Sequence, residues 1–226
     1  VIRAQKMKRV EVDNQLIVME QKALQSMMNP HFIFNSLGSI QNYLLKNKGR
    51  EAVIYLSQFA KLIRQNLNSA NSPIIALDEE TEHLKNYLDL EKKRLENKFE
   101  YTIDVDDSLI KAEIYIPSMI IQPIAENAIW HGLALLKDKG VININITSFT
   151  YNSLKFIIRD NGIGMKKSAE FIEKDSRHQQ LGMQIIEKRL FLLGKKYKTE
   201  TSISFKEQYP DSFFPGTVVE IILPKM

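Results

Sequence analysis

The sequence predicts an α+β protein: a helical hairpin over residues 1–72, then an α/β sandwich over 73–226 with a mixed, mostly antiparallel sheet. Three observations carry this. Apolar residues recur at helical spacing from Val10 to Ile63. The turn-formers Asn68-Ser69-Ala70-Asn71-Ser72-Pro73 then break the pattern. From Phe99 onward, short apolar runs of period two alternate with helical stretches.

Residues 1–28 lack Gly and Pro, and Val10, Ile17 and Leu24 fall seven apart beside Leu16, Met19, Ala23 and Met27. That stripe predicts an amphipathic inlet helix able to pair with another. Asn29-Pro30-His31-Phe32-Ile33-Phe34-Asn35 follows. The proline is expected to kink the helix, and Asn35 shares a face with His31 four residues earlier. A neutral imidazole is a competent nucleophile near pH 7. The second helix is expected from about Arg50 to Leu67, with Val53, Leu56, Phe59, Ala60 and Ile63 apolar. A lone hairpin buries little, so a homodimeric four-helix bundle is expected.

Asp78 is expected to cap a third helix reaching about Asn97, with Glu79, Glu80 and Glu82 near its positive end. Glu91 and Arg94 have ion-pair spacing on it. Strands are predicted over 99–105, 141–146, 154–158, 202–205 and 217–223. A helix is expected to run from Pro117 through Ile120, Ile121, Ile124, Ala125 and Ala128, carrying Glu126, Asn127 and His131. Another is expected over Gln184–Leu193.

Composition narrows the function. The hydrophobic fraction of 44% and charged fraction of 26% are those of a soluble globular protein. A net charge of +4, with its basic residues dispersed, does not mark a nucleic-acid binder. No cysteine is present, which excludes disulfides and thiolate metal sites. No apolar run has transmembrane length and no signal-peptide pattern is present. Since the chain starts at Val1, it reads as a piece of a longer protein, with a sensor or transmembrane region expected upstream.

The chemistry-bearing residues come in a fixed order. Glu126 and Asn127 are polar groups late on an apolar helix, and an Asn carbonyl oxygen is a hard ligand for Mg²⁺. Asp160-Asn161-Gly162-Ile163-Gly164 follows a strand; its glycines let backbone approach a flat ligand, and Asp160 can accept from an exocyclic amine. A polar stretch, 173–180, leads to Leu181-Gly182-Met183, where a helix N-terminus would hold phosphate oxygens, with Lys188 and Arg189 nearby. Gly216-Thr217 opens the last strand, with a hydroxyl near the base edge.

Taken together, this ordered set closely resembles the sensor histidine kinases of the LytS type, with a Bergerat-fold (GHKL) ATP-binding domain, over about residues 24–223. The resemblance implies that Asn29–Asn35 is the phosphoacceptor motif, with His31 phosphorylated. Glu126–Gly132 is then the N box, Asp160–Gly164 the first glycine box and Leu181–Met183 the second. It implies ATP and Mg²⁺ as cofactors, autophosphorylation of His31, and transfer to an aspartate of a cognate response regulator. The implied setting is the cytoplasmic part of an inner-membrane-anchored bacterial sensor. In this scheme Asn127 holds Mg²⁺ and Asp160 reads adenine. The 173–183 loop covers the triphosphate. Asn35 orients His31, while Glu126 supports Asn127 and takes a proton. A second reading is a dimeric nucleotide-binding relay module of the same fold with little kinase activity. The chain departs from the family pattern at Trp130, usually basic, and at Gln180, commonly glycine; Phe32, after the histidine, is normal for the LytS type.

Overall fold

In the computed structural model, which describes residues 10–19, 30–110, 112–133, 136, 138–171 and 177–226, helices lead and a sheet follows. α1, residues 10–19, buries Leu16 and Met19 and exposes Val10 and Ile17, so the stripe beside the seven-residue repeat is the packed one. Asp13 pairs with Lys196 at 2.8 Å. Ala23, Leu24, Met27, Asn29 and the kink expected before Pro30 lie outside the described residues.

α2 (Pro30–Leu45) and α3 (Gly49–Asn71) form the hairpin. α3 runs past its expected end at Leu67, because Asn66 and Ser69 are buried side chains rather than turn residues. What stops it is Pro73, which pushes Ser72 to an extended φ of −126°. α4 (Leu77–Arg94) starts at Leu77, with Ala76 as its N-cap. Asp78 therefore lies inside the first turn with Glu79 and Glu80, where the helix dipole still favours all three. The hairpin rests on α4: Phe32 packs its ring 5.9 Å from Phe59 and 5.8 Å from Tyr87.

A two-stranded antiparallel sheet was not expected. It pairs β1 (Ile74–Ala76) with β3 (Tyr115–Pro117). Pro117 thus ends a strand instead of opening a helix, and α6 (Gln122–Asn127) starts later, with Pro123 in its first turn. The main sheet has the order β2-β4-β5-β7-β6, from β2 (Phe99–Val105), β4 (Gly140–Thr150), β5 (Ser153–Asp160), β6 (Ser202–Glu207) and β7 (Thr217–Pro224). Only β2 and β4 run parallel among these neighbours. Period-two patterning sets its faces: Ile142, Ile144 and Ile146 are fully buried under the helices while Asn143 and Asn145 turn outward. Short α5 (Asp107–Ile110), α7 (Met165–Phe171) and long α8 (Arg177–Tyr197) complete the α+β fold. No helix of the described residues is long and apolar enough to cross a membrane.

Candidate functional site

Asp160 is the last residue of β5, in phase with Leu154, Phe156 and Ile158, which all face the helices. The pleat therefore turns a carboxylate inward, where it is 4% exposed. Its Oδ1 accepts the backbone N–H of Gly162 at 2.8 Å and of Thr217 at 3.3 Å. Burial pushes the carboxyl up to about 6, and those donors hold it from rising further.

The glycines fit their neighbours closely. A Cβ on Gly162 would lie 2.4 Å from the carbonyl of Gly132, and Ile163 N–H donates to that same carbonyl at 3.0 Å. Gly216 N–H donates to the Gly162 carbonyl at 2.9 Å. The turn after Asn127, the loop after Asp160 and the start of β7 are thus zipped together through backbone. We expect Gly162→Ala to push the loop after Asp160 away from the π-helical turn, cost about 1–3 kcal/mol as overpacking does, and lower thermal stability and ligand affinity together in a melting and titration series.

α6 ends at Asn127 and widens into a π-helical turn, Ala128–Leu133. The continuous α-helix expected there is therefore interrupted at the functional stretch, as π turns often are. Half-buried Asn127 and His131 both line a cavity of about 490 Å³ whose wall includes Asp160, Gly164 and Thr217. α8 supplies Met183, Gln184 and Glu187 to it, and Ile124, Ile158, Val219 and Phe205 make it largely apolar.

Other expected site residues fall elsewhere. α8 begins at Arg177, so Leu181, Gly182 and Met183 lie inside a helix and not at its N-terminus. Their N–H groups fall within the helical run and are not free for phosphate, and Met183 lines the cavity. Residues 173–176 of the expected loop are outside the described residues. His31 and Asn35 belong to α2, and Asn35 is not among the cavity's described lining residues. Asn35 is half-buried, and its carbonyl accepts Ser39 Oγ at 3.0 Å. Glu126 is half-buried; the Tyr87 phenol is pushed up chiefly by its own burial, with the charges of Glu91 and Glu126 adding to it. Arg189, expected near phosphate, is instead a core residue. The lining residues Ser168, Glu187 and Phe205 were not read as site residues; only Glu187 carried a signal, four residues after Met183 on one helix face.

Trp130 has its own cation. The Arg94 guanidinium stacks 4.2 Å from the Trp130 ring centroid and grips Glu91 with two bonds, 2.9 and 2.7 Å. Glu91 is 0% exposed, so the pair expected from i,i+3 spacing is a buried one. Arg94→Ala would strand that carboxylate, and we expect it to cost about 3–5 kcal/mol in denaturant unfolding.

Chemically, the cavity offers apolar walls for a flat ring, a buried carboxylate acceptor and a half-buried amide, a combination suited to a purine nucleotide. A histidine kinase family model matches residues 19–99. Across 99% of its length the chain is 34% identical to the sensor protein LytS of Oceanobacillus iheyensis, of which it covers 36%. It is 32% identical over 74% of its length to the sensor histidine kinase YpdA of Escherichia coli, covering 28% of that protein. Against the sensor histidine kinase/phosphatase LytS of Staphylococcus aureus it is 34% identical over 66%, covering 25%. The chain thus spans about a third or less of these relatives. Among solved structures, the histidine kinase domain of the Erythrobacter litoralis EL346 blue-light activated kinase shares 14% identity and a TM-score of 0.48, over 96% of this chain and 94% of that one. With one of these relatives aligned over nearly its whole length and the other two over about two thirds to three quarters of it, the chain is a homologue of sensor histidine kinases, those named LytS among them.

Proposed function

We propose that this chain binds ATP with Mg²⁺ in the 490 Å³ cavity and transfers the γ-phosphoryl group to His31, then to an aspartate of a cognate response regulator. The observation that carries the reading is Asp160: a buried acceptor, braced by two backbone donors, at a largely apolar cavity whose wall also holds Asn127 and His131. Ionised, Asp160 accepts from the adenine amine, and the Thr217 hydroxyl meets the base edge. His131, Gly164, Gly182 and Met183 flank the nucleotide. The donor present fits Mg²⁺: Asn127 Oδ1, a hard carboxamide oxygen on the cavity wall, would hold it. When bound it gathers phosphate charge as the transfer proceeds.

The His31 imidazole attacks γ-phosphorus in line. The N–P bond forms as the bond to the β-bridging oxygen breaks, and ADP leaves with the electron pair. Asn35 orients the ring, and Glu126 supports Asn127 and receives the imidazole proton. Residues 1–72 act as the dimerisation and phosphoacceptor hairpin and 73–226 as the catalytic domain, swinging about the segment near Pro73. Exposed apolar side chains on α2 and α3, with Phe34 at 70% and Leu45 at 76%, support a homodimer. In this reading the unit works on the cytoplasmic side of a bacterial membrane behind an upstream sensor.

The test is incubation with γ-labelled ATP and Mg²⁺. Stoichiometric, acid-labile and alkali-stable label on the protein is expected. Nucleotide binding without label would favour the relay module; label released only as free phosphate would indicate an ATPase.

A further inference from the structure

Arg189 lies on α8, is 1% exposed, and is used by neither the cavity nor the chemistry above. A fully buried guanidinium is costly unless its donors are engaged. Its Nη1 donates to the carbonyl of Ser118, and its Nη2 donates to the carbonyl of Pro73 at 3.4 Å. These carbonyls belong to two different segments. Ser118 precedes α6, which carries Asn127; Pro73 joins the hairpin to β1. The Pro73 carbonyl also accepts Ser118 N–H at 3.1 Å, and Ser118 Oγ donates to Ser69 O, on the last turn of α3, at 3.4 Å. From α4, the buried Glu80 carboxyl faces the backbone N–H groups of Met119, Ile120 and Ile121 and the charge of Arg189. Met119 is held at φ +59°, a left-handed conformation costly for a side chain of its size.

α8 itself lines the cavity with Met183, Gln184 and Glu187. Successive helix residues turn by about 100°, so Glu187 and Arg189 point to nearly opposite sides. A rigid helix with one face on the nucleotide and the other on the joining segment passes any tilt from one to the other.

We propose that Arg189 is the positioning residue that couples nucleotide occupancy to the segment joining the two parts, by clamping the Pro73 and Ser118 carbonyls to α8. This rests on the nucleotide reading of the cavity. The clamp holds the joining segment in one placement, and a bound nucleotide, by shifting α8, resets the placement from which the hairpin meets the cavity.

The test uses the whole chain, with Arg189→Met, which keeps the stem, and Arg189→Lys, which keeps a charged donor. Amide hydrogen exchange is followed over 66–77 and 115–122, with and without a non-hydrolysable ATP analogue and Mg²⁺. Without nucleotide, Arg189→Met is expected to exchange about tenfold faster in these two segments, with β4 and β5 unchanged. With nucleotide, the native protein is expected to change exchange there and Arg189→Met is not, although its analogue Kd stays within threefold. Autophosphorylation should lose about tenfold in kcat with KM for ATP nearly constant, and Arg189→Lys should restore part of it. Native-like exchange in the two segments of Arg189→Met, or an undiminished nucleotide response there, overturns the clamp. If Arg189→Met does not fold, the same readouts on Arg189→Lys decide: a reduced response supports the clamp and a native one overturns it. Failure of the native protein to bind the analogue would instead overturn the nucleotide reading, leaving the nucleotide-free comparison to judge the clamp.

Discussion

His31→Ala is expected to remove all phosphoryl label from the protein while leaving the Kd for ATP within about twofold. The reason is positional. α2 contributes nothing to the cavity lining among the described residues, so nucleotide binding does not depend on it. Phosphoryl transfer to nitrogen, however, needs an imidazole brought in line, and alignment of that kind contributes on the order of 7–11 kcal/mol to a barrier. Neither of the other histidines whose side chains the structure describes inherits it. His83 is buried beside Ser69 and Glu79, and His131, though in the cavity, is fixed on the π-helical turn that directly follows Asn127. Label counting and calorimetric titration on one preparation make the check. Label retained by His31→Ala, especially on His131, would relocate the acceptor.

Asp160→Asn is expected to weaken ATP binding by about 10–100-fold and yet stabilise the nucleotide-free protein. An ionised acceptor bonded to the adenine amine contributes about 1.5–3 kcal/mol. In the variant the amide N–H₂ opposes that amine, because the backbone donors of Gly162 and Thr217 hold its oxygen. Stability moves the other way. Burial raises the folded carboxyl from 3.8 to about 6, so the folded chain keeps this proton to a higher pH than the unfolded chain. The contribution to stability is full below about pH 4 and is lost as pH rises through about 6. Above that, the bare carboxylate costs the fold up to ~3 kcal/mol, taking ~1.4 kcal/mol per pKa unit. Asp160→Asn should therefore melt higher than the native protein at pH 7.5, with the gap closing near pH 4. Native ATP affinity should itself fall as pH drops below about 6. Melting curves and titrations at pH 7.5 and 5.5 check both halves.

Much of this was legible from the sequence, for reasons that differ by element. The five long strands announced themselves because one buried face imposes period two, as in Ile142, Ile144 and Ile146. That same alternation turned Asp160 inward. β1 and β3 were missed because three residues are too few to show a period, and because a proline suits a strand end as well as a first helical turn. The start of α8 was misplaced because its polar first turns and Gly182 look like a loop locally. α3 outran its Asn and Ser residues because tertiary burial of Asn66 and Ser69 outweighed their turn preference. The zip between Gly132, Gly162 and Gly216 gave only its glycines in advance, since close approach is a property of three segments at once. The burial of Arg189 and Glu80 did not show in advance, because charged residues on two helices usually mark solvated faces.

The central claim is that a nucleotide seated between Asn127 and Asp160 gives its γ-phosphoryl group to the hairpin. Its most direct measurement is a single turnover with γ-labelled ATP and Mg²⁺, quenched in alkali, digested, and mapped by mass spectrometry. The account predicts one phosphorylated peptide, modified at His31. A phosphoryl group on any other residue, or its quantitative appearance as inorganic phosphate with the protein unmodified throughout, would contradict it.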